Sequence, residues 1–118
     1  MIHQGDVVWV SLPGSGGSAP QGRRPALVLQ HDRFNGTRLA TAIVVAITSK
    51  LKYAALPGNV RLRKGEAGLP RASVVNVTQV ATIDRDLVGA RLGSLTAARL
   101  SEVWRGVCLV CESDTSQA

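Results

Sequence analysis

The groups best placed to do chemistry in this chain are an arginine pair, Arg23-Arg24, standing directly before Pro25 and the apolar run Ala26-Leu27-Val28-Leu29. Pro25 fixes its own φ and biases Arg24 toward extended backbone, so this side chain leaves the mouth of a strand with a stiff base behind it. A guanidinium held that way can grip a phosphate through two parallel hydrogen bonds. Other polar groups stand at the ends of apolar runs or inside them: Thr48 and Ser49 close one, and Asn76, Thr78 and Gln79 punctuate another. Antiparallel pairing brings such ends together. The set offers a fixed cation, several hydroxyls and amides, which suits phosphate contact plus the reading of a base edge. The competing reading of Arg23-Arg24 is a surface charge pair, which the residues alone do not separate from the functional one; that of Thr48-Ser49 is simple strand-ending polarity, the stronger reading of those two residues taken alone.

Other chemistries find little support. His3 and His31 are far apart in sequence and neither has a carboxylate cluster beside it, so no metal site is expected. Cys108 and Cys111 have C-x-x-C spacing but lack a second pair or a nearby histidine; they read as two small buried apolar residues rather than a redox or zinc pair. Neither a G-x-S-x-G elbow, a dinucleotide fingerprint nor a P-loop is present. With Trp9, Phe34, Tyr53 and Trp104 as the only aromatics, a platform stacking several bases is not expected.

Charge points to a polyanion. The net charge is +6, yet residues 21–64 alone hold nine basic residues (Arg23, Arg24, Arg33, Arg38, Lys50, Lys52, Arg61, Arg63 and Lys64) against one acid, Asp32, a local balance of +8. Such a region favours nucleic acid through counterion release and steering. No uncharged apolar run approaches the roughly 18 residues of a membrane span. The start of the chain lacks the basic-then-apolar pattern of a signal peptide, so the cytosol is the expected compartment.

The elements that must position these groups follow from periodicity. With 118 residues and 45% apolar content, one domain over residues 1–112 with a polar tail at 113–118 is expected. Residues 5–12, 24–30, 39–48, 59–63 and 72–83 read as strands. The Gly/Ser-rich residues 13–20 read as a loop, a lid if a site lies beside it. Thr96 is an N-cap, with Leu95 stapling onto Leu100 and Val103, Trp104, Val107, Cys108 and Cys111 at helical spacing on a core-facing side. Gly106 is a mild weakness in that helix. Strands followed by a terminal helix predict an α+β fold with a small, strongly curved antiparallel sheet or half-barrel.

Taken together, these segments resemble the MazF/PemK toxin family. The resemblance is carried by Gly5-Asp6-Val7-Val8-Trp9-Val10, Gly22-Arg23-Arg24-Pro25-Ala26-Leu27-Val28-Leu29, Phe34-Asn35, Ile47-Thr48-Ser49, Ser73-Val74-Val75-Asn76-Val77-Thr78-Gln79-Val80 with Thr82-Ile83-Asp84, and Leu92-Gly93-Ser94-Leu95 with its helix. It implies an SH3-like barrel, a homodimer, and metal-independent, sequence-specific cleavage of single-stranded RNA by the substrate's own 2′-OH, giving a 2′,3′-cyclic phosphate and a 5′-OH. It also implies a cognate antitoxin whose extended segment occupies the RNA groove, and no cofactor. Carried over position by position, the catalytic arginine is Arg24 and the catalytic threonine Thr48; Arg23, Ser49, Asn76, Thr78 and Gln79 are the expected RNA contacts.

Two positions depart from the family pattern. The acidic residue that several members carry just before the glutamine is Thr78 here, which takes up no proton near neutral pH, and an arginine often found two residues beyond the glutamine is Ala81. The general base is thereby left to His3, His31 or Asp84, none of which the sequence places. Two other readings stay open: a toxin of the same fold that poisons DNA gyrase, and a non-catalytic nucleic-acid-binding module.

Overall fold

The Val- and Ile-rich runs pair into one six-stranded antiparallel sheet. Its strands are β1 (Asp6–Leu12), β2 (Gly22–Val28), β3 (Thr41–Thr48), β4 (Val60–Leu62), β5 (Ser73–Asp84) and β6 (Val88–Ser94), in the spatial order β4-β5-β3-β2-β1-β6. A short helix α1 (Asp32–Asn35) joins β2 to β3, and α2 (Ala97–Cys111) closes the chain; 3-10 turns occupy Leu51–Ala55, Glu66–Gly68 and Arg85–Leu87. The computed structural model describes residues 1–12 and 22–113. The expected lid at residues 13–20 and the tail beyond Ser113 fall outside them.

Both faces of the sheet bury apolar side chains, as expected for a sheet curled on itself. On one face Val7, Leu27, Val45, Ile47, Leu62, Val75 and Val77 pack with Val103 and Val107 of α2. On the other, Val8, Val10, Ala26, Val28, Val44 and Ile83 form a second cluster. Consecutive residues such as Leu27 and Val28 thus serve opposite faces, which accounts for the continuous apolar runs of the central strands. Each fully buried Leu or Ile contributes on the order of 1.5–3 kcal/mol.

The helix is where expectation and structure part. Thr96 is the N-cap, its hydroxyl accepting the Arg99 N–H at 3.2 Å, and Leu95 is buried with Leu100 packed against the same core. Yet Trp104 is 54% exposed, and Cys108 and Cys111 are exposed free thiols, so none of the three faces the core. The cause is Gly106. A Cβ there would lie 2.9 Å from the Gly58 carbonyl carbon and 3.1 Å from Val77 Cγ1. This backbone-to-backbone approach draws the helix in along Val103, Gly106 and Val107 and turns the Trp104–Cys108–Cys111 stripe toward solvent.

A further difference is β6, which sequence patterning does not reveal. Gly89 and Gly93 interrupt its alternation, and its pairing with β1 shifts register twice. Gly93 is required by packing: a Cβ there would sit 2.6 Å from the Ala67 carbonyl.

Candidate active site

The candidate residues gather where β2 begins and β3 ends. The β2–β3 pairing runs from Val28–Val44 to Ala26–Ala46, so Arg24 and Thr48 each stand two residues beyond the last pair, at the same end of the two strands. On its other side Arg24 pairs with Val10, and Pro25 with Trp9. Alternation along β2 sends Arg23 and Arg24 to opposite faces. Arg23 is held over the Trp9 ring, 4.3 Å from its centroid, a cation–π contact that fixes a long side chain. Thr48 is only 9% exposed, and its Oγ1 accepts the Lys50 N–H at 3.2 Å. That bond orients the hydroxyl and leaves its own proton to donate. Ser49 follows, exposed.

The amides and Thr78 come from a distortion of β5. Val45 pairs with Val80 and Ile47 with Val75, so Ala46 alone stands opposite Asn76, Val77, Thr78 and Gln79. A bulge of this kind re-aims side chains and ends regular pairing. Asn59 staples it, accepting the Val77 N–H at 2.9 Å and donating to the Tyr53 carbonyl at 2.9 Å and to Asn76 Oδ1 at 3.3 Å. Buried Asn76 then organises its neighbours: its Oδ1 accepts from Thr78 Oγ1 at 3.0 Å, and its Nδ2 donates to Gln79 Oε1 at 3.2 Å. Asn76 is therefore a positioning group, while Thr78 presents oxygen lone pairs and Gln79 its NH₂.

Two clefts flank this end of the sheet, each of about 480 Å³. One has an apolar floor of Val10, Leu12, Ala26, Val44 and Ala46 and is rimmed by Thr78 and Gln79. The other is lined by Trp9, Arg23, Arg24, Ser49, Arg71 and Ser73, over Leu69 and Pro70. Arg71 is the one cationic lining residue that sequence reasoning passed over, because it lies beyond the basic stretch ending at Lys64. Among the described residues, neither cleft is lined by an acid or a histidine.

That composition corrects one expectation. Asp84 pairs with Thr41, the full length of β3 away from Thr48, about 23 Å at the rise of a strand. His3 lies 3.5 Å from Asp32, and His31 caps α1 through Nδ1, accepting the Arg33 N–H at 2.9 Å. All three sit at the opposite end of the sheet, so within one chain none lies beside Arg24. Asp32 is occupied there too; hydrogen bonds from the Gln4 backbone, then from Asn35, hold its carboxyl below the usual range. No group of three His, Cys, Asp or Glu side chains capable of holding a metal ion occurs among the described residues. No helix among them is long and apolar enough to cross a membrane.

Comparison with known proteins agrees with this geometry. The model of the PemK-like, MazF-like toxins of type II toxin-antitoxin systems matches residues 3–111. The endoribonuclease MazF2 of Mycobacterium bovis is 43% identical over 107 residues, covering 91% of this chain and 94% of that protein. Among solved structures, MazF of Deinococcus radiodurans superposes with a TM-score of 0.79 at 27% identity, covering 95% of this chain and 97% of that one. A MazE-MazF structure from the same organism gives 0.74 at 25% identity, covering 96% and 97%. A family match over residues 3–111 and a relative 43% identical over 91% of the chain have one meaning: this chain belongs to the PemK-like, MazF-like toxins of type II toxin-antitoxin systems.

Proposed function

We propose that this toxin is a metal-independent endoribonuclease that cuts single-stranded RNA at short sequences, with Arg24 and Thr48 as its catalytic residues. The observation that supports the reading is that Arg24 and Thr48 stand at the same open end of β2 and β3, beside an arginine-lined cleft with no acid among its described lining residues. In the reaction the substrate's 2′-OH attacks the adjacent phosphorus, the P–O5′ bond breaks, and a 2′,3′-cyclic phosphate and a 5′-OH are released. Negative charge grows on the non-bridging oxygens as the pentacoordinate transition state forms. Arg24 neutralises that charge and hydrogen-bonds the departing 5′ oxygen, and Thr48 donates to a non-bridging oxygen. Among the described residues neither cleft is lined by a carboxylate or imidazole, and in this reading the 2′-OH proton passes to water and water returns one to the 5′ oxygen. Arg23 and Ser49 hold backbone, while Thr78 and Gln79, set by Asn76, meet a base over the apolar floor.

The same surface suits the other expected partners. A cationic groove with no acid among its described lining residues accepts an extended acidic antitoxin segment in place of RNA. Exposed Phe34, Leu39, Ile43 and Trp104 line an apolar groove of about 820 Å³ at the far end of the sheet, which supports a homodimer with a buried partner face. Residues 1–112 act as one toxin domain, with 113–118 as a tail, in the cytosol where RNA is met.

Incubation with a mixed-sequence RNA in EDTA, followed by end mapping, tests this. Discrete cuts with 5′-OH ends are expected. Arg24→Ala should lower the rate by on the order of a hundredfold or more, and Thr48→Val by a similar factor, both with intact fold. Intact RNA with inhibited DNA supercoiling would mark a gyrase poison, and RNA retained uncut would mark a binding module; either result overturns the reading.

A further inference from the structure

A chain of hydrogen bonds runs from the main chain through two asparagines to the rim of the apolar-floored cleft. Asn59 is half-buried immediately before β4, and its backbone N–H closes the preceding turn on the Leu56 carbonyl at 3.2 Å. Its side chain accepts the Val77 N–H at 2.9 Å and donates to the Tyr53 carbonyl at 2.9 Å. A main-chain N–H only donates and a carbonyl only accepts, so these two partners fix which end of the carboxamide faces where. The Asn59 NH₂ also donates to Asn76 Oδ1 at 3.3 Å, and that oxygen accepts from Thr78 Oγ1 at 3.0 Å. Asn76, 5% exposed, thus has its oxygen committed to one side and its NH₂ to Gln79 Oε1 at 3.2 Å. The consequence reaches the surface. Thr78 directs its proton inward and is left an acceptor, whereas Gln79 uses its oxygen inward and is left a donor. Both rim the cleft floored by Val10, Ala26 and Val44.

We propose that Asn59 is a positioning residue that sets base preference: by fixing Asn76 it makes Thr78 the acceptor and Gln79 the donor, and so decides whether an amino base (adenine or cytosine) or a keto base (guanine or uracil) is read there. The two classes carry donor and acceptor in opposite order along their pairing edges, so a fixed acceptor–donor pair separates them. That the ligand is a base rests on the endoribonuclease reading; the relay itself rests on the hydrogen bonds. Asn59→Asp reverses the relay. The carboxylate still accepts the Val77 N–H but has no N–H for Asn76, which turns its NH₂ toward Asp and its oxygen toward Gln79. Gln79 then shows its oxygen, and the Thr78 hydroxyl proton is released to donate outward.

The test sequences the ends cut from a randomised RNA library by the whole protein, at mildly alkaline pH, where the new carboxylate is ionised, and at a temperature where circular dichroism shows each variant folded. Asn59→Asp should exchange the preference at one position of the cut motif between the amino and keto classes. Asn59→Ala leaves Asn76 able to turn either way and should lower discrimination at that position about tenfold, the worth of one well-made base contact. A merely structural lesion slows every sequence alike and moves neither. An unchanged cut motif in both variants overturns the proposal. In the wild type, NMR should show slow hydrogen exchange at the Val77 N–H and the Asn59 side-chain amide; exchange as fast as in exposed turns overturns it even where neither variant folds. Should the wild type retain RNA uncut, the endoribonuclease reading falls, and the bases of the retained RNA decide for or against Asn59 by the same shifts. Retention with no base preference overturns both.

Discussion

Replacing Gly106 with alanine sets helix propensity against packing, and the two have opposite signs. Glycine inside a helix costs about 1 kcal/mol relative to alanine, so propensity alone makes Gly106→Ala stabilising by that amount. In the folded chain the new methyl would stand 2.9 Å from the Gly58 carbonyl carbon, with the carbonyl oxygen nearer still, and 3.1 Å from Val77 Cγ1. Ordinary contacts of a methyl begin near 3.4 Å, so α2 must lift or Gly58 must retreat. Overpacking costs about 1–3 kcal/mol, and the upper end applies because the obstacle is backbone rather than a rotatable side chain. The net expectation is a loss of about 2 kcal/mol, or a fall in Tm of roughly 8 °C at about 4 °C per kcal/mol. Urea unfolding with an unchanged slope measures it. The displacement also reaches the site, because Gly58 precedes Asn59, whose side chain staples the β5 bulge. RNA cleavage measured at a temperature where the variant is fully folded should therefore fall as well. Arg105→Ala, at an exposed position on the same helix and outside the apolar groove, is the control and should be close to neutral. A Gly106→Ala protein as stable as the parent, or more so, would refute the close-approach argument.

Two further outcomes follow from side chains away from the clefts. Glu66 accepts Arg99 in two hydrogen bonds, at 2.7 and 3.3 Å, and the Arg63 backbone at 3.0 Å. Arg99 foremost, then that backbone N–H, outweigh burial and hold the Glu66 carboxyl below the usual range. Because the folded-state pKa is depressed, this stabilisation is fully present above the unfolded value near 4.3 and is lost as pH falls through the folded one. Glu66→Gln should thus cost about 1–2 kcal/mol at pH 7 and nothing measurable once Glu66 is protonated in the parent; chemical unfolding from pH 7 down to the acid limit checks the convergence. Cys108 and Cys111, both exposed, should react with an aromatic disulfide reagent in the native protein as fast as in urea, whereas buried thiols would wait for unfolding.

Much of the fold was legible because its signals are local. The Val/Ile runs, the Thr96 cap and the arginine-proline mouth of β2 depend on neighbours within a few residues, and each stands where the patterning sets it. What stayed hidden depends on distant pairs. The exposure of Trp104 follows from the meeting of Gly106 and Gly58, which no helical wheel contains, so an apparently apolar face was assigned to the core. β6 was concealed for a related reason: Gly93 weakens the strand pattern in order to admit the Ala67 backbone. At the candidate site, the position of Arg24 and Thr48 at one end of β2 and β3 was readable from strand boundaries. Arg71 was not, since its relevance comes from the turn that carries it back to the β2 mouth. The fixing of the amides was also invisible, because Asn59 reads as a turn residue and only the fold shows it bonded to Asn76 and Val77.

In a regular ladder each side chain is bound to its partner's register, and a change of character on one strand must be matched across the pair. Residues 76–79 escape that rule because a single β3 residue faces all four, and their conformation is set by Asn59 from outside the ladder. Thr78 and Gln79 can therefore be rewritten without renegotiating the frame around them. On the proposed assignment, a change at Thr78 or Gln79 would alter which bases are read while Arg24, Thr48 and their strands stay as they are, so target choice and catalytic competence would be separately inheritable.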